Sequence, residues 1–184
     1  MSRCVLLVLM CVLAPDAVSD DDIKALHDEA VGIVGDFAGE LKPALMAAMQ
    51  EGGPVHAIDV CSERAPEIAE RLSAESGWSV SRVSLKPRNR ETGQPDAWAR
   101  AMLATFDARQ KAGEPAENLV VSEVADGEFR FLKAQPVEPL CLACHGKALA
   151  PAVREKLAER YPDDHATAYS LGQVRGGFYL RKTL

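Results

Sequence analysis

Apolar positions over residues 22–50 recur at helical spacing: Ile23, Leu26, Ala30, Ile33, Phe37, Leu41, Leu45 and Met49, with Asp, Glu and Lys between them. The pattern predicts a long amphipathic N-terminal helix with a kink or break at Pro43, whose ring takes away a backbone donor. Gly52-Gly53-Pro54 ends that helix, and the run Val55 to Val60 suits a short strand. A second helix is expected from about Ser62 and Pro66, with Ala65, Ile68, Ala69 and Leu72 on one face and a stop near Gly77. Cys61 then falls at a strand-to-helix junction.

Further on, Trp78 to Leu85 reads as a strand and Lys86 to Pro95 as a polar loop. Asp96 is the N-cap of a helix that places Trp98, Met102 and Phe106 on one face and ends at Gly113. Leu119 to Val124 and Glu128 to Lys133 flank Asp126-Gly127, a dipeptide suited to a tight hairpin. Pro151 to Arg160 predicts a short helix closed by Tyr161-Pro162, and Val174 to Arg181 a last strand. About five strands interleave with four or five helices, and the hairpins leave too little crossover length for an all-parallel sheet. The expected class is α+β.

The start of the chain changes this picture. Met1-Ser2-Arg3 is followed by an apolar run from Cys4 to Ala14 that is too short to span a bilayer. Small residues at Ala17 and Ser19 precede Asp20-Asp21-Asp22, so residues 1–19 read as a signal peptide and residues 20–184 as one exported, periplasmic domain. With 47% hydrophobic residues the chain can build a single core. Its net charge of −6 offers no basic face for phosphate backbones, which argues against nucleic acid as a partner. Loss of Cys4 and Cys11 would leave Cys61, Cys141 and Cys144, an odd number of thiols in an oxidising compartment.

Cys141-Leu142-Ala143-Cys144-His145 is C-x-x-C-H, the attachment signature of c-type haem. Two thiols one helical turn apart suit two vinyl groups, and the adjoining histidine suits the iron. A zinc site would need a fourth ligand, for which His165 is the nearby candidate, and there is no second C-x-x-C. A dithiol redox pair would be expected to open a helix after the first strand of a parallel sheet, whereas this motif comes late, after a hairpin. Candidates for the iron's sixth ligand are Cys61, His27, His56, His165, Met46, Met49 and Met102. Spacing does not choose among them. Cys61 stands out as the odd thiol and, if it precedes a helix, as one whose thiolate the helix dipole would favour; a small buried hydrophobe is the competing reading.

Several segments together carry a resemblance: Ala57-Ile58-Asp59-Val60-Cys61 with Ala65-Pro66, Gly77-Trp78-Ser79-Val80, Ser84-Leu85-Lys86-Pro87-Arg88-Asn89, Pro95-Asp96-Ala97-Trp98, Cys141 to Gly146, Tyr161-Pro162-Asp163-Asp164 and Arg175-Gly176. The chain resembles the PAS-like c-type haem domains of bacteria, found alone or as sensory ectodomains. The resemblance implies a PAS-like antiparallel sheet flanked by helices, and one covalent haem c with His145 as proximal and Cys61 as distal ligand. Arg90 stands where that family usually has proline, and Ala166-Thr167-Ala168-Tyr169 lacks the usual glycine before the tyrosine. Arg82, Lys86, Arg88 and Arg90 form a basic cluster in an acidic chain; Lys86 and Arg88 are the preferred partners for haem propionates, with a solvated loop as the alternative.

The expected function is electron transfer or redox sensing, with an unidentified redox partner or sensor protein. The alternative is a gas or redox sensor in which a diatomic ligand displaces Cys61. A peroxidase-like enzyme would need a polar acid–base group on an open face, for which His56 is the nearby candidate.

Overall fold

A computed structural model describes residues 18–184; the basic start and apolar run of the expected signal peptide lie outside the described residues. Ser19, the expected cleavage point, is the N-cap of the first helix. Its hydroxyl accepts from the Asp22 N–H at 3.2 Å, and the Asp22 carboxylate reaches back to Ser19 in a capping box.

Helix α1 spans Asp20–Ser76, followed by β1 (Ser79–Val83), α2 (Ala97–Lys111), β2 (Val120–Ala125), β3 (Glu128–Pro136), the short α3 (Leu142–His145), α4 (Pro151–Arg160) and β4 (Val174–Thr183). Two short 3-10 turns, Ala116–Asn118 and Pro139–Cys141, complete the order. The class is α+β, as the sequence predicts, but the sheet has four strands rather than five. Their order is β1-β4-β3-β2, with every pairing antiparallel.

The missing strand is Val55 to Val60, which is helical. Its β-branched residues look strand-like, but Pro54 suits a first helical turn, and Ile58, Cys61, Ala65, Ile68 and Leu72 follow one another every three or four residues. One helix face is therefore continuous through the segment, and Cys61 lies in a helix interior rather than at a junction. The break in α1 is at Gly53, the one residue with non-helical torsions (φ 69°, ψ −165°). Glycine reaches that positive φ without a Cβ clash. Pro43, the expected kink, sits inside the helix with helical torsions.

Alternation along the strands sends side chains to two cores. Phe129, Phe131, Phe178, Leu180 and Val80 face α1, where they meet Ala30, Ile33, Phe37, Ile68 and Trp78. Leu132, Ala134, Tyr179 and Val83 face α2 and its Leu103 and Phe106. Each such buried Val, Leu, Ile or Phe side chain contributes about 1.5–3 kcal/mol. At the hairpin, Asp126 (φ 55°) and Gly127 (φ 74°) both take positive φ, the torsions of a two-residue turn that matches strand twist.

Asp96 caps α2 as the sequence predicts, accepting from the Ala99 N–H at 2.8 Å. It also accepts from the Tyr179 hydroxyl at 2.6 Å, tying α2 to β4. At one end of the molecule α4 packs Val153 and Leu157 on Ile58 of α1. Lys156 and Arg160 of α4 hold Asp59 and Glu63 at 2.9 Å each. No helix among the described residues is long and apolar enough to cross a membrane.

Candidate functional site

The connection from β3 to β4 carries the C-x-x-C-H motif. Pro139 opens a 3-10 turn that continues into α3, placing Cys141 and Cys144 one turn apart, both half-buried and both free thiols. Gly146 closes the turn: a Cβ there would stand 2.5 Å from the Leu142 carbonyl oxygen, so no larger residue fits without moving the backbone. Cys144 rests against the break in α1, with its Sγ 3.9 Å from the Pro54 carbonyl oxygen.

His145 is oriented by the segment Ala166–Tyr169. Its Nδ1 lies 2.7 Å from the Ala166 carbonyl oxygen, and the Tyr169 N–H donates to the His145 carbonyl at 2.9 Å. Arg175 Nε stands 3.1 Å from the same Nδ1. The Ala166 carbonyl can only accept and the Arg175 Nε–H can only donate, so the two contacts favour opposite tautomers; the carbonyl contact is the shorter, and it favours the proton on Nδ1. The ring is thereby left with a lone pair on Nε2, the tautomer a metal-ligating histidine requires. Burial, followed by the positive charges of Arg175 and Arg88, holds the imidazole well below its ordinary pKa and keeps it neutral.

Ala168, in the same segment, has φ 64°. This is the position at which the resembling family usually carries glycine. A non-glycine residue in that conformation costs about 1–2 kcal/mol.

Of the candidate sixth ligands, Cys61 is the one that shares the electrostatic neighbourhood of the motif. Burial pushes its thiol pKa up, Arg82 and Arg88 oppose the rise, and Cys141 adds to it. A helix-terminal thiolate was the expectation from sequence; in the helix interior the dipole argument falls away, and the nearby cations take its place. The other candidates have different surroundings. His27 approaches Ser122 of β2 and the edge of Phe131; His56 is exposed beside Glu51 at 3.7 Å; His165 adjoins Ala166 but is exposed; Met46 is exposed, Met49 is half-buried on α1 before the break, and Met102 packs in the α2-side core. Among the described residues no group of three or more His, Cys, Asp or Glu side chains is placed to hold a metal ion, so the zinc reading lacks a ligand set.

The two expected propionate partners have different surroundings. Arg88 donates from Nη2 to the Cys144 carbonyl at 2.5 Å and pairs with Asp164 at 3.2 Å, while its buried Nε has no partner. It fastens the end of the motif to the Asp164–Ala166 segment. Lys86 lies over the Tyr169 ring at 4.5 Å and donates to the Thr167 carbonyl. With Asp107, Lys111 and Arg175 it lines a cavity of about 180 Å³, to which none of the three cysteines contributes.

Three residues without an assigned role in the sequence reading complete the site. Arg175, buried beside His145, has its pKa lowered to about 10, chiefly by desolvation. Asp164 pairs with Arg88, and Tyr161 packs with Cys144 against Ile58, Val153 and Leu157. The sequence signal for all three was their place in the segments that carry the resemblance, which located them without giving them partners.

The fold and site together define an α+β domain that brings the two thiols of a C-x-x-C-H turn into the neighbourhood of a third thiol on a long helix, with a buried histidine at the end of the turn. The chain belongs to the Tll0287-like family, whose model matches residues 16–182. It is similar to the crystal structure of the cyanobacterial heme-protein Tll0287, at 26% identity and a TM-score of 0.62 over 85% of this chain and 94% of that one. No curated protein matches the chain.

Proposed function

We propose that the chain is a PAS-like c-type cytochrome domain, exported to the periplasm, that carries one haem and works in electron transfer or redox sensing with a partner protein. Cys141 and Cys144 would hold the haem covalently, His145 would be one axial ligand and Cys61 the other. Bound haem supplies a one-electron couple between ferrous and ferric iron.

The observation that carries the reading is the 2.7 Å contact of His145 Nδ1 with the Ala166 carbonyl, which favours the tautomer whose Nε2 is free to ligate. The donor set fits the group: two unpaired thiols one turn apart, a neutral imidazole, and a third thiol in the same neighbourhood. The similarity to a cyanobacterial heme-protein supports the same cofactor. Arg88, with its unpartnered Nε, borders the site and is the better placed of the two expected propionate partners; Lys86 lies over the Tyr169 ring and lines the cavity to which no cysteine contributes.

Each residue then has one task. Ala166 holds the His145 proton at Nδ1, Arg175 and Arg88 keep the ring neutral, and Gly146 lets the chain leave the motif without displacing Leu142. Ile58, Ala65 and Ile68, buried on the same helix face, keep the region around Cys61 apolar.

Expression with c-type maturation machinery should give a protein that keeps its haem stain on a denaturing gel, and Cys141→Ala with Cys144→Ala should abolish the stain. An unsubstituted protein without covalent haem would defeat the proposal. Cys61→Ala should remove the thiolate signature from the ferric EPR spectrum; an unchanged spectrum means that Cys61 is not a ligand. Carbon monoxide added to the reduced protein separates the two roles, since ready binding favours sensing by ligand exchange and absence of binding favours electron transfer.

A further inference from the structure

Arg82 is the outlier of β1. Strand alternation puts Val80 and Arg82 on the sheet face that α1 covers, a face otherwise built from Phe129, Phe131, Phe178 and Leu180. The guanidinium lies 5.4 Å from the centre of the Phe37 ring. Among the described residues it makes no hydrogen bond and no ion pair. The groups that act on it electrostatically are Cys61 and Tyr161, both neutral at pH 7 in their ordinary forms. The side chain is half-buried, and a cation placed between a sheet and a helix without an anion from the chain is open to one from a ligand.

Its position narrows the choice of anion. Arg82 exerts its charge on the Cys61 thiol and also on the His145 ring, the two groups that would face each other across the bound haem. Arg88 acts on the same two groups but already has a carboxylate, Asp164, at 3.2 Å. The cations around the site therefore outnumber the protein's carboxylates there, and Arg82 is the one left without a partner.

We propose that Arg82 pairs with a haem carboxylate, a propionate, and so positions the cofactor between Cys61 and His145. The inference rests on the haem reading above and adds a residue to it. A guanidinium offers two parallel N–H donors to a carboxylate, which fixes orientation as well as charge.

The test uses the haem-loaded protein. Arg82→Gln should keep haem stain and the ferric thiolate EPR signature, shift the propionate-bending band in the resonance Raman spectrum, and lower the reduction potential, because a positive charge that favours ferrous haem is lost. Arg82→Lys should restore most of the potential while leaving the Raman band displaced, since the charge returns without the fork. An unmoved propionate band in Arg82→Gln overturns the proposal. So does a changed thiolate signature with an unmoved band, which would make Cys61 the partner. If Arg82→Gln does not accumulate, the band in Arg82→Lys decides by the same criterion. Absence of covalent haem in the unsubstituted protein would instead defeat the haem reading, so the two failures are distinguishable.

Discussion

The two faces of the sheet treat their polar groups in opposite ways. On the α2 face the Tyr179 hydroxyl donates to Asp96, and Asp96 also accepts from the Ala99 N–H. The chain supplies both ends of each bond. Towards the Cys61 end of the α1 face, the buried Nε of Arg88 finds no acceptor, and the half-buried Arg82 has no acceptor in the chain. Buried polar groups are almost always paired, so the difference separates a face that the chain completes by itself from a region that needs something further.

The largest expected effect tests whether both faces are core. Phe131 and Leu132 are neighbours on β3, each fully buried, and they point to opposite faces. Phe131→Ala should cost about 3–5 kcal/mol and Leu132→Ala about 2–5 kcal/mol in denaturant unfolding. If Leu132→Ala costs less than about 1 kcal/mol, the α2 face is not the closed core described.

Next in size is the tie between α2 and β4. Tyr179→Phe should cost about 1 kcal/mol at neutral pH. Burial tends to raise the Asp96 pKa, but the bonds from Tyr179 and Ala99 outweigh it and hold the carboxyl below its ordinary 3.8. A depressed carboxyl stabilises the fold above the unfolded pKa, and that contribution is lost as pH falls through the folded value. The gap between parent and Tyr179→Phe should therefore shrink below about pH 4, as read by thermal melts along a pH series. A gap that is constant down to pH 2.5 would remove Asp96 from the account.

The smallest effect has the opposite sign. Ala168→Gly should stabilise the protein by about 0.5 kcal/mol, because relief of the left-handed alanine slightly exceeds the extra freedom glycine gives the unfolded chain. A melting temperature below the parent's would show that the Ala168 methyl group makes a contact of greater worth.

Much of this was legible from local pattern. The Asp96 cap, the Asp126-Gly127 turn, the helix Pro151–Arg160 and the C-x-x-C-H motif depend on residues within a few positions of one another. The segment Val55 to Val60 misled because β-branched content and helical spacing conflict there; the step from Ile58 to Cys61 to Ala65 was the better guide. The Lys86–Arg90 cluster was visible as charge, but which cation lacks a partner depends on Asp164, Thr167 and Tyr169, all more than seventy residues away. Arg82 was grouped with a loop although its strand alternation already set it among apolar neighbours.

The break at Gly53 also has a mechanical side. The stretch Asp20–Gly52 is a rod of about 50 Å, at 1.5 Å per residue. The joint folds that rod back, so that Glu40 in the first half pairs with Arg71 in the second, and Ile33 and Phe37 join Ile68 and Leu72 in one core. Beyond the joint, the segment bearing Cys61 is clamped to α4 through Asp59 and Glu63. Gly53 thus lets one helix double back on itself, and a residue that fused the two halves into one straight shaft would part Phe37 from the helix face that bears Cys61.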